Sequence, residues 1–298
     1  MSERYGGPML VIAMGVLAGV LFGLLTTLVR RGLMRQPNAL VGAMVITSSA
    51  ALMVLAVTIL TGKGGDLLEF RMAAGYFALG IVVPGISQIL FVVAVREVGA
   101  SRTAIMIGTA PLLATIIAVA FRGEALVIGL VVGTVLIVIG GASLAWDRNL
   151  PPGFRARGML FAFFCALLFA VRDNAVRMLG GASDMDPLAA TTWTLIGAAV
   201  AVAVYATIAR RGAVLTEYRA VFRSFIPAGV VFALAYLALV VALEIGRVTV
   251  FAPLNAMQSM WTVLFAWLLL GKSDGIGARI VLAMLLVVLG GIMIGIFR

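Results

Sequence analysis

Uncharged, apolar runs of about twenty residues follow one another along almost the whole chain, separated by short charged or turn-forming segments. A helix needs ~20 apolar residues to cross the hydrocarbon of a bilayer. Ten runs fit that requirement: Pro8–Val29, Asn38–Gly62, Met72–Val95, Thr103–Phe121, Ala125–Trp146, Gly158–Leu179, Pro187–Ala209, Ser224–Leu243, Val248–Gly271 and Gly275–Phe297. The sixth is interrupted by Arg172 and Asp173. The strands of a membrane barrel alternate apolar and polar residues. These runs are continuous, so the pattern predicts helices. The first run is too long for the apolar part of a signal peptide, and only Arg4, offset by Glu3, precedes it, so it reads as a first span.

Composition narrows the class further. Hydrophobic residues make up 63% of the 298 and charged residues 11%, with a mean hydropathy of +1.18. Soluble domains carry roughly a quarter charged residues. Too little polar surface remains to coat a water-soluble globule, which excludes a soluble enzyme or a nucleic-acid-binding domain. The single cysteine, Cys165, excludes a disulfide scaffold. The expected class is an all-α membrane protein with ten transmembrane helices.

The net charge of +10 comes from 22 basic residues, of which only Lys63 and Lys272 are lysines. They are scattered between the apolar blocks and read as orientation signals and lipid-headgroup contacts rather than as a nucleic-acid surface. Loops on the face carrying both termini hold seven of them, and loops on the opposite face fourteen. Positive loops stay in the cytoplasm, so the count puts both termini outside.

The chain also repeats itself. Leu21-Phe22 and Val29-Arg30 recur as Leu168-Phe169 and Val176-Arg177, 147 residues on. Glu97-Val98-Gly99 recurs as Glu244-Ile245-Gly246 at the same offset. Glu69-Phe70-Arg71 recurs as Glu217-Tyr218-Arg219 at 148, and Gly140-Gly141 as Gly290-Gly291 at 150. Four matches in one order at almost one offset indicate a tandem duplication. Residues 1–147 form a first five-helix repeat, 148–157 a connecting loop with Pro151-Pro152-Gly153, and 158–298 a second repeat. Five crossings turn the second copy upside down, an arrangement recurrent in secondary transporters, whose sites lie near the midplane between the copies.

Gly15, Gly19 and Gly23 share a stripe of the first helix, Gly129 and Gly133 a face of the fifth, and Gly291 and Gly295 a face of the tenth. Such spacing lets helix backbones approach in a bilayer. Packing within the chain and self-association both remain open, giving a monomer or a weak homodimer. Pro84, Pro111 and Pro253 fall inside the third, fourth and ninth helices and are the candidate hinges, since each removes a backbone hydrogen bond.

One family matches these features. Val95 to Arg102, with sequence VREVGASR, then Ala110-Pro111-Leu112-Leu113 and Phe121-Arg122-Gly123-Glu124, resembles the drug/metabolite transporter superfamily, in particular its ten-helix bacterial exporters of the EamA type. Ala242 to Gly246 and Leu270-Gly271-Lys272 occupy the matching places in the second half, with Lys272 standing where the family usually has an acid. The resemblance covers the whole chain. It implies a multi-pass transporter of the bacterial inner membrane, most similar to the superfamily's amino-acid exporters. It also implies cytoplasmic termini, against the loop charges.

Little catalytic chemistry is visible. There is no histidine and no Cys/His set for a metal. No glycine-rich phosphate loop precedes a Lys-Ser/Thr pair, so neither a cofactor nor ATP drive is expected. The main polar intrusion is Arg172-Asp173-Asn174, about fourteen residues into its helix, or ~21 Å from the helix start. Charges in a bilayer face a cavity or one another. Neighbouring side chains diverge on a helix, so Arg172 and Asp173 are not expected to pair face to face. They read either as a cavity wall, with Arg172 meeting a carboxylate and Asp173 an ammonium or a proton, or as a helix end that snorkels to the interface.

Gln88, Tyr236, Asn255, Gln258 and Trp261 are the other candidate substrate-binding residues. Asn255 and Gln258 are three apart and share a face beside Pro253. They read equally as interhelical hydrogen-bonding groups. Glu97 and Glu244 are candidates for proton coupling, or else structural partners of Arg96, Arg102 or Arg247. The expected function is therefore a secondary transporter that exports amino acids, aromatic or other apolar ones among them, or related small metabolites by alternating access, with uncoupled facilitation as one mode and the coupling left open. Its partners are the small-molecule substrate and the lipid bilayer. Two rivals are a proton-coupled drug or metabolite exporter using Asp173, Glu97 or Glu244, and a membrane subunit or lipid-modifying enzyme.

Overall fold

The computed structural model describes residues 8–110, 112–113, 128–143, 153–182, 185–210, 212–245, 251, 254–255, 257–271 and 277–297. Among them the chain is helical, with no strand. The helices are α1 (Pro8–Arg35), α2 (Ala39–Leu60), α3 (Phe70–Val98), α4 (Ala100–Ile107), α5 (Ile128–Ser143), α6 (Arg157–Ala182), α7 (Pro187–Arg210), α8 (Val214–Ile245), α9 (Gln258–Leu270) and α10 (Ala278–Phe297). Six of them, α1, α2, α3, α6, α7 and α8, are each long and apolar enough to cross a membrane. The face at which α1 begins is called the first face below, and the face at which α1 ends the second.

Helix packing follows the duplication. α1 packs on α8 and α9, and its counterpart α6 packs on α3 and α4. α2 packs on α8, and its counterpart α7 packs on α3. The self-paired contacts α2–α7, α4–α9 and α5–α10 complete the set. Exchanging the halves therefore maps each of these contacts onto another, as two inverted five-helix repeats require. The glycine stripe of α1 serves this packing, and on α10 it is Gly290, next to the expected Gly291, that meets Gly133 of α5. A Cβ on Gly23 would lie 2.6 Å from the Trp261 Cβ, and one on Gly290 2.6 Å from the Gly133 carbonyl. The stripe of α1 thus seats α9, and the glycines of α5 and α10 meet one another inside one chain.

Two helices run further than the apolar runs suggested. α1 continues past Val29 to Arg35, and α8 starts at Val214 rather than Ser224. A charge ends an apolar run without ending a helix, because arginine heads are solvated at the headgroups while backbone bonding continues. α3 departs in the other direction. Between Ile81 and Ile86 it opens into a wide π-type turn, with Val83 at φ −140° and ψ 109°. Pro84 has no N–H to continue the ladder. The repeat offset carries the same information, because Arg71 to Glu97 is one residue longer than Arg219 to Glu244. A π-type turn absorbs one extra residue in a helix. Of the candidate hinges, Pro84 lies in this break, while Pro111 and Pro253 lie outside the described residues.

Candidate functional site

Arg172 and Asp173 lie in the interior of α6, with side chains 2% and 7% exposed. Contrary to the expectation from their adjacency, they pair. Arg172 Nε and Nη2 donate to Asp173 Oδ1 at 2.9 and 2.8 Å. The long arginine stem curls back over one residue. In a medium of low dielectric this reach costs far less than two unpaired charges. The guanidinium lies 4.5 Å from the Phe169 ring centre, one turn earlier, and 5.9 Å from both Phe22 and Tyr236. The pair is thus neutral in sum and boxed by aromatic faces.

Arg172 also lines a cavity at the centre of the bundle. The first repeat contributes Phe22, Leu25 and Thr26 of α1, Pro84, Gln88 and Phe91 of α3, and Ile107 of α4. The second contributes Phe169 and Arg172 of α6, Phe232 of α8 and Gln258 of α9. The three wall helices of one half, α1, α3 and α4, are the counterparts of α6, α8 and α9. The cavity measures about 20 Å³, room for about one water. In this conformation it is closed around less space than any amino acid needs.

The sequence candidates separate here. Gln88, Gln258 and Arg172 line the cavity; Tyr236 does not, but its ring centre lies 5.9 Å from the Arg172 guanidinium. The Tyr236 hydroxyl donates to the Val83 carbonyl at 3.4 Å, inside the break of α3. Gln88 Nε2 has no hydrogen-bond partner among the described residues. A buried amide donor left in this way is a ready contact for a carboxylate or carbonyl oxygen. Asn255 is buried but does not line the cavity, and its Oδ1 likewise has no partner among the described residues. Trp261 packs on α1 and stacks on Phe265 at 6.2 Å. Asn174 donates to the Ala170 carbonyl of its own helix at 2.9 Å. Seven wall residues were not foreseen as site residues: Leu25, Thr26, Ile107 and the four rings of Phe22, Phe91, Phe169 and Phe232. Phe22 and Phe169 had marked the duplication, and their equivalent places put both rings beside Arg172.

Glu97 and Glu244 lie away from the cavity, at opposite faces. At the second face, Arg157 Nε donates to Glu97 Oε1 and Oε2 at 3.0 and 3.1 Å, and its Nη2 to Oε1 at 2.8 Å. Arg96 adds a weaker contact at 3.5 Å. Arg96 was an expected partner and Arg157 was not; Arg247 lies outside the described residues. At the first face, Glu244 accepts from the Tyr76 hydroxyl at 3.0 Å. Each corner is also held by the arginine that ended the repeat motif. Arg30 Nη1 donates to the Val95 and Arg96 carbonyls at 3.3 and 3.0 Å, and Arg177 Nη1 to the Glu244 carbonyl at 3.2 Å. A cation suits the negative end of a helix, where carbonyls lack partners. Among the described residues both ends of the bundle are therefore joined.

A small cavity walled by both of two inverted repeats, mostly aromatic and apolar with a few buried polar groups, is an arrangement suited to a transporter. The EamA-like transporter family matches the chain twice, over residues 9–145 and 156–296, and the chain belongs to that family. A crystal structure of a protein shares the fold, with a TM-score of 0.63 at 17% identity, covering 95% of each chain. No curated protein gives a significant match. Among the described residues, no three His, Cys, Asp or Glu side chains lie close enough to hold a metal ion.

Proposed function

We propose that this member of the family is a secondary transporter that exports amino acids, aromatic or otherwise apolar, or closely related small metabolites. It works by alternating access. The observation that carries the reading is the Arg172–Asp173 pair at the wall of an aromatic-lined cavity. An amino acid is a zwitterion. Its carboxylate can take Arg172 from Asp173 while its ammonium takes the freed aspartate. The number of buried charges paired before and after is then balanced within the site, so exchange avoids leaving a lone charge in the bilayer. The Gln88 amide offers a further donor to the carboxylate, and the ring faces of Phe22, Phe91, Phe169 and Phe232 suit an apolar side chain.

Because charge balances locally, no coupling ion is required, and substrate runs down its own gradient. The cavity widens by bending at the break of α3. The corners at Glu97 and Glu244 open in alternation, never together. The protein works in the bacterial inner membrane as a monomer or weak homodimer, without catalytic turnover. Loop arginines favour the second face as cytoplasmic.

The test is flux of labelled amino acids into liposomes holding the purified protein, with and without a pH gradient. Uptake without a gradient, abolished by Arg172→Leu, is expected. A specific observation favours one rival: Asp173 is a buried carboxylate beside the cavity, the position a proton carrier needs. Flux that requires a gradient and is uncoupled by Asp173→Asn would select the proton-coupled exporter instead. No amino-acid flux from a folded sample overturns the substrate class.

A further inference from the structure

A second, larger cavity of about 640 Å³ lies at the first face, open along α8 between α1 and the start of α7. Its floor includes Leu234 and Val241 of α8, one wall runs from Leu10 to Leu21 of α1, and Leu188 of α7 closes the far side. The one charged residue on it is Asp186, which pairs with Lys63 at 3.0 Å. We propose that this groove binds one acyl chain of a zwitterionic phospholipid of the first-face leaflet, with its headgroup over the Lys63–Asp186 pair.

Three observations select that occupant. The groove follows α1 from Leu10 to Leu21, ~16 Å at 1.5 Å per residue. That is about half of the ~30 Å hydrocarbon core, so the groove has the depth of one leaflet. Its lining is apolar from mouth to floor, and a tail gains ~0.8 kcal/mol for each methylene it buries. At the mouth, Lys63 and Asp186 offer one cation and one anion side by side, complementary to the phosphate and ammonium of a phosphoethanolamine headgroup. An anionic headgroup such as phosphatidylglycerol carries no cation to meet Asp186.

The duplication gives a reason for a groove at this face. At the second face, Arg157 at the start of α6 clamps Glu97, and Gly158 lets α3 close in, with the Glu97 Cβ 2.8 Å from where a glycine Cβ would stand. The residue equivalent to Arg157 in α1 is Leu10. It lies in the groove with Ile245, beside Glu244, and makes no ion pair. Where the clamp is missing, the space is left to lipid. The groove ends at Leu21, next to Phe22 of the central cavity, so a bound tail would brace the substrate site from outside.

The test uses the full chain, reconstituted into vesicles of phosphatidylethanolamine and phosphatidylglycerol at three to one, then taken into detergent, washed and weighed by native mass spectrometry. One phosphatidylethanolamine should stay with each wild-type chain. Leu17→Trp and Leu234→Trp each fill the groove from a side chain that is 43% exposed, and should lower retention about tenfold, the scale of one to two buried methylenes. Leu160→Trp, on the outer surface of α6, should leave it unchanged. Asp186→Asn keeps an oxygen to accept the Leu188 N–H and should erase the preference for phosphatidylethanolamine. No retained lipid, equal loss in Leu160→Trp, or preferential retention of phosphatidylglycerol overturns the proposal. So does a wild-type dimer that Leu17→Trp and Leu234→Trp convert to monomer, which would assign the groove to a second copy.

Discussion

α1 and α6 are the same helix written twice, and they differ at two of three places. In its later turns each carries an arginine that caps a neighbouring helix, Arg30 on α3 and Arg177 on α8. At mid-depth α1 has Leu25-Thr26-Thr27, where α6 has Arg172-Asp173-Asn174. At their starts α1 has Leu10 where α6 has Arg157. The threonines of α1 donate to the Phe22 and Gly23 carbonyls of their own helix at 2.8 and 3.2 Å, and Thr27 also reaches the Thr262 carbonyl of α9 at 3.5 Å. The shared arginines hold backbone to backbone, which any bundle of this topology needs. The divergent positions hold side chains, and among the described residues they go with the charged wall of the central cavity, the Glu97 clamp and the apolar groove. Duplication supplied the scaffold, and loss of symmetry supplied the chemistry.

The comparison is broken most severely at mid-depth. Arg172→Leu gives α6 the leucine of α1 but leaves Asp173 buried without its partner. It is expected to cost about 3–5 kcal/mol, seen as a lowered unfolding temperature in detergent. Arg172→Leu with Asp173→Thr copies the Leu25-Thr26 of α1 outright. It should recover most of that stability, because no lone charge remains, yet carry no amino-acid flux. A double variant that still transports would show that the charge pair is structural.

The next largest effect is expected at the helix starts. Arg157→Leu copies Leu10 and leaves Glu97 to Arg96. The second face should then open more readily, by a factor on the order of ten, read as faster thiol labelling of a cysteine placed below Glu97. Tyr76→Phe tests the opposite corner. It removes a hydroxyl bond to a carboxylate, a contact of the kind worth about 1.5–3 kcal/mol, and should speed labelling at the first face alone. Equal changes at both faces in either variant would mean that the corners do not act as separate gates.

The smallest effect should come from the places that match. Arg30→Gln and Arg177→Gln each weaken a helix end, by about 0.3–1 kcal/mol. If the two caps are equivalent joints, their unfolding temperatures should fall together, and neither should alter substrate preference in flux competition.

Much of this was legible in one dimension. Hydrocarbon thickness dictates the length of apolar runs, so spans such as Pro187–Ala209 emerged nearly to the residue. Shared ancestry wrote the inverted repeat into offsets of 147 and 148, and even the extra residue of α3 was countable. Rare polar residues at depth pointed to Arg172, Gln88 and Gln258, because hydrocarbon tolerates few of them. Asn255 and Trp261 look as distinctive in the sequence, yet Asn255 stands off the cavity wall and Trp261 packs on α1.

What could not be read from order alone was partnership. Arg157 and Glu97 are sixty residues apart and meet because α6 starts where α3 ends. Arg172 and Asp173 are adjacent and meet because the interior offers Arg172 a nearby anion in place of water. Phe169 meets the Arg172 guanidinium by helix periodicity, but Phe22 reaches it only when the inverted halves pack. Hydropathy and periodicity are properties of short windows, so the chain carries them by itself. The pairing of charges and the walls of a cavity depend on which helices face each other, and that emerges only when the two halves pack.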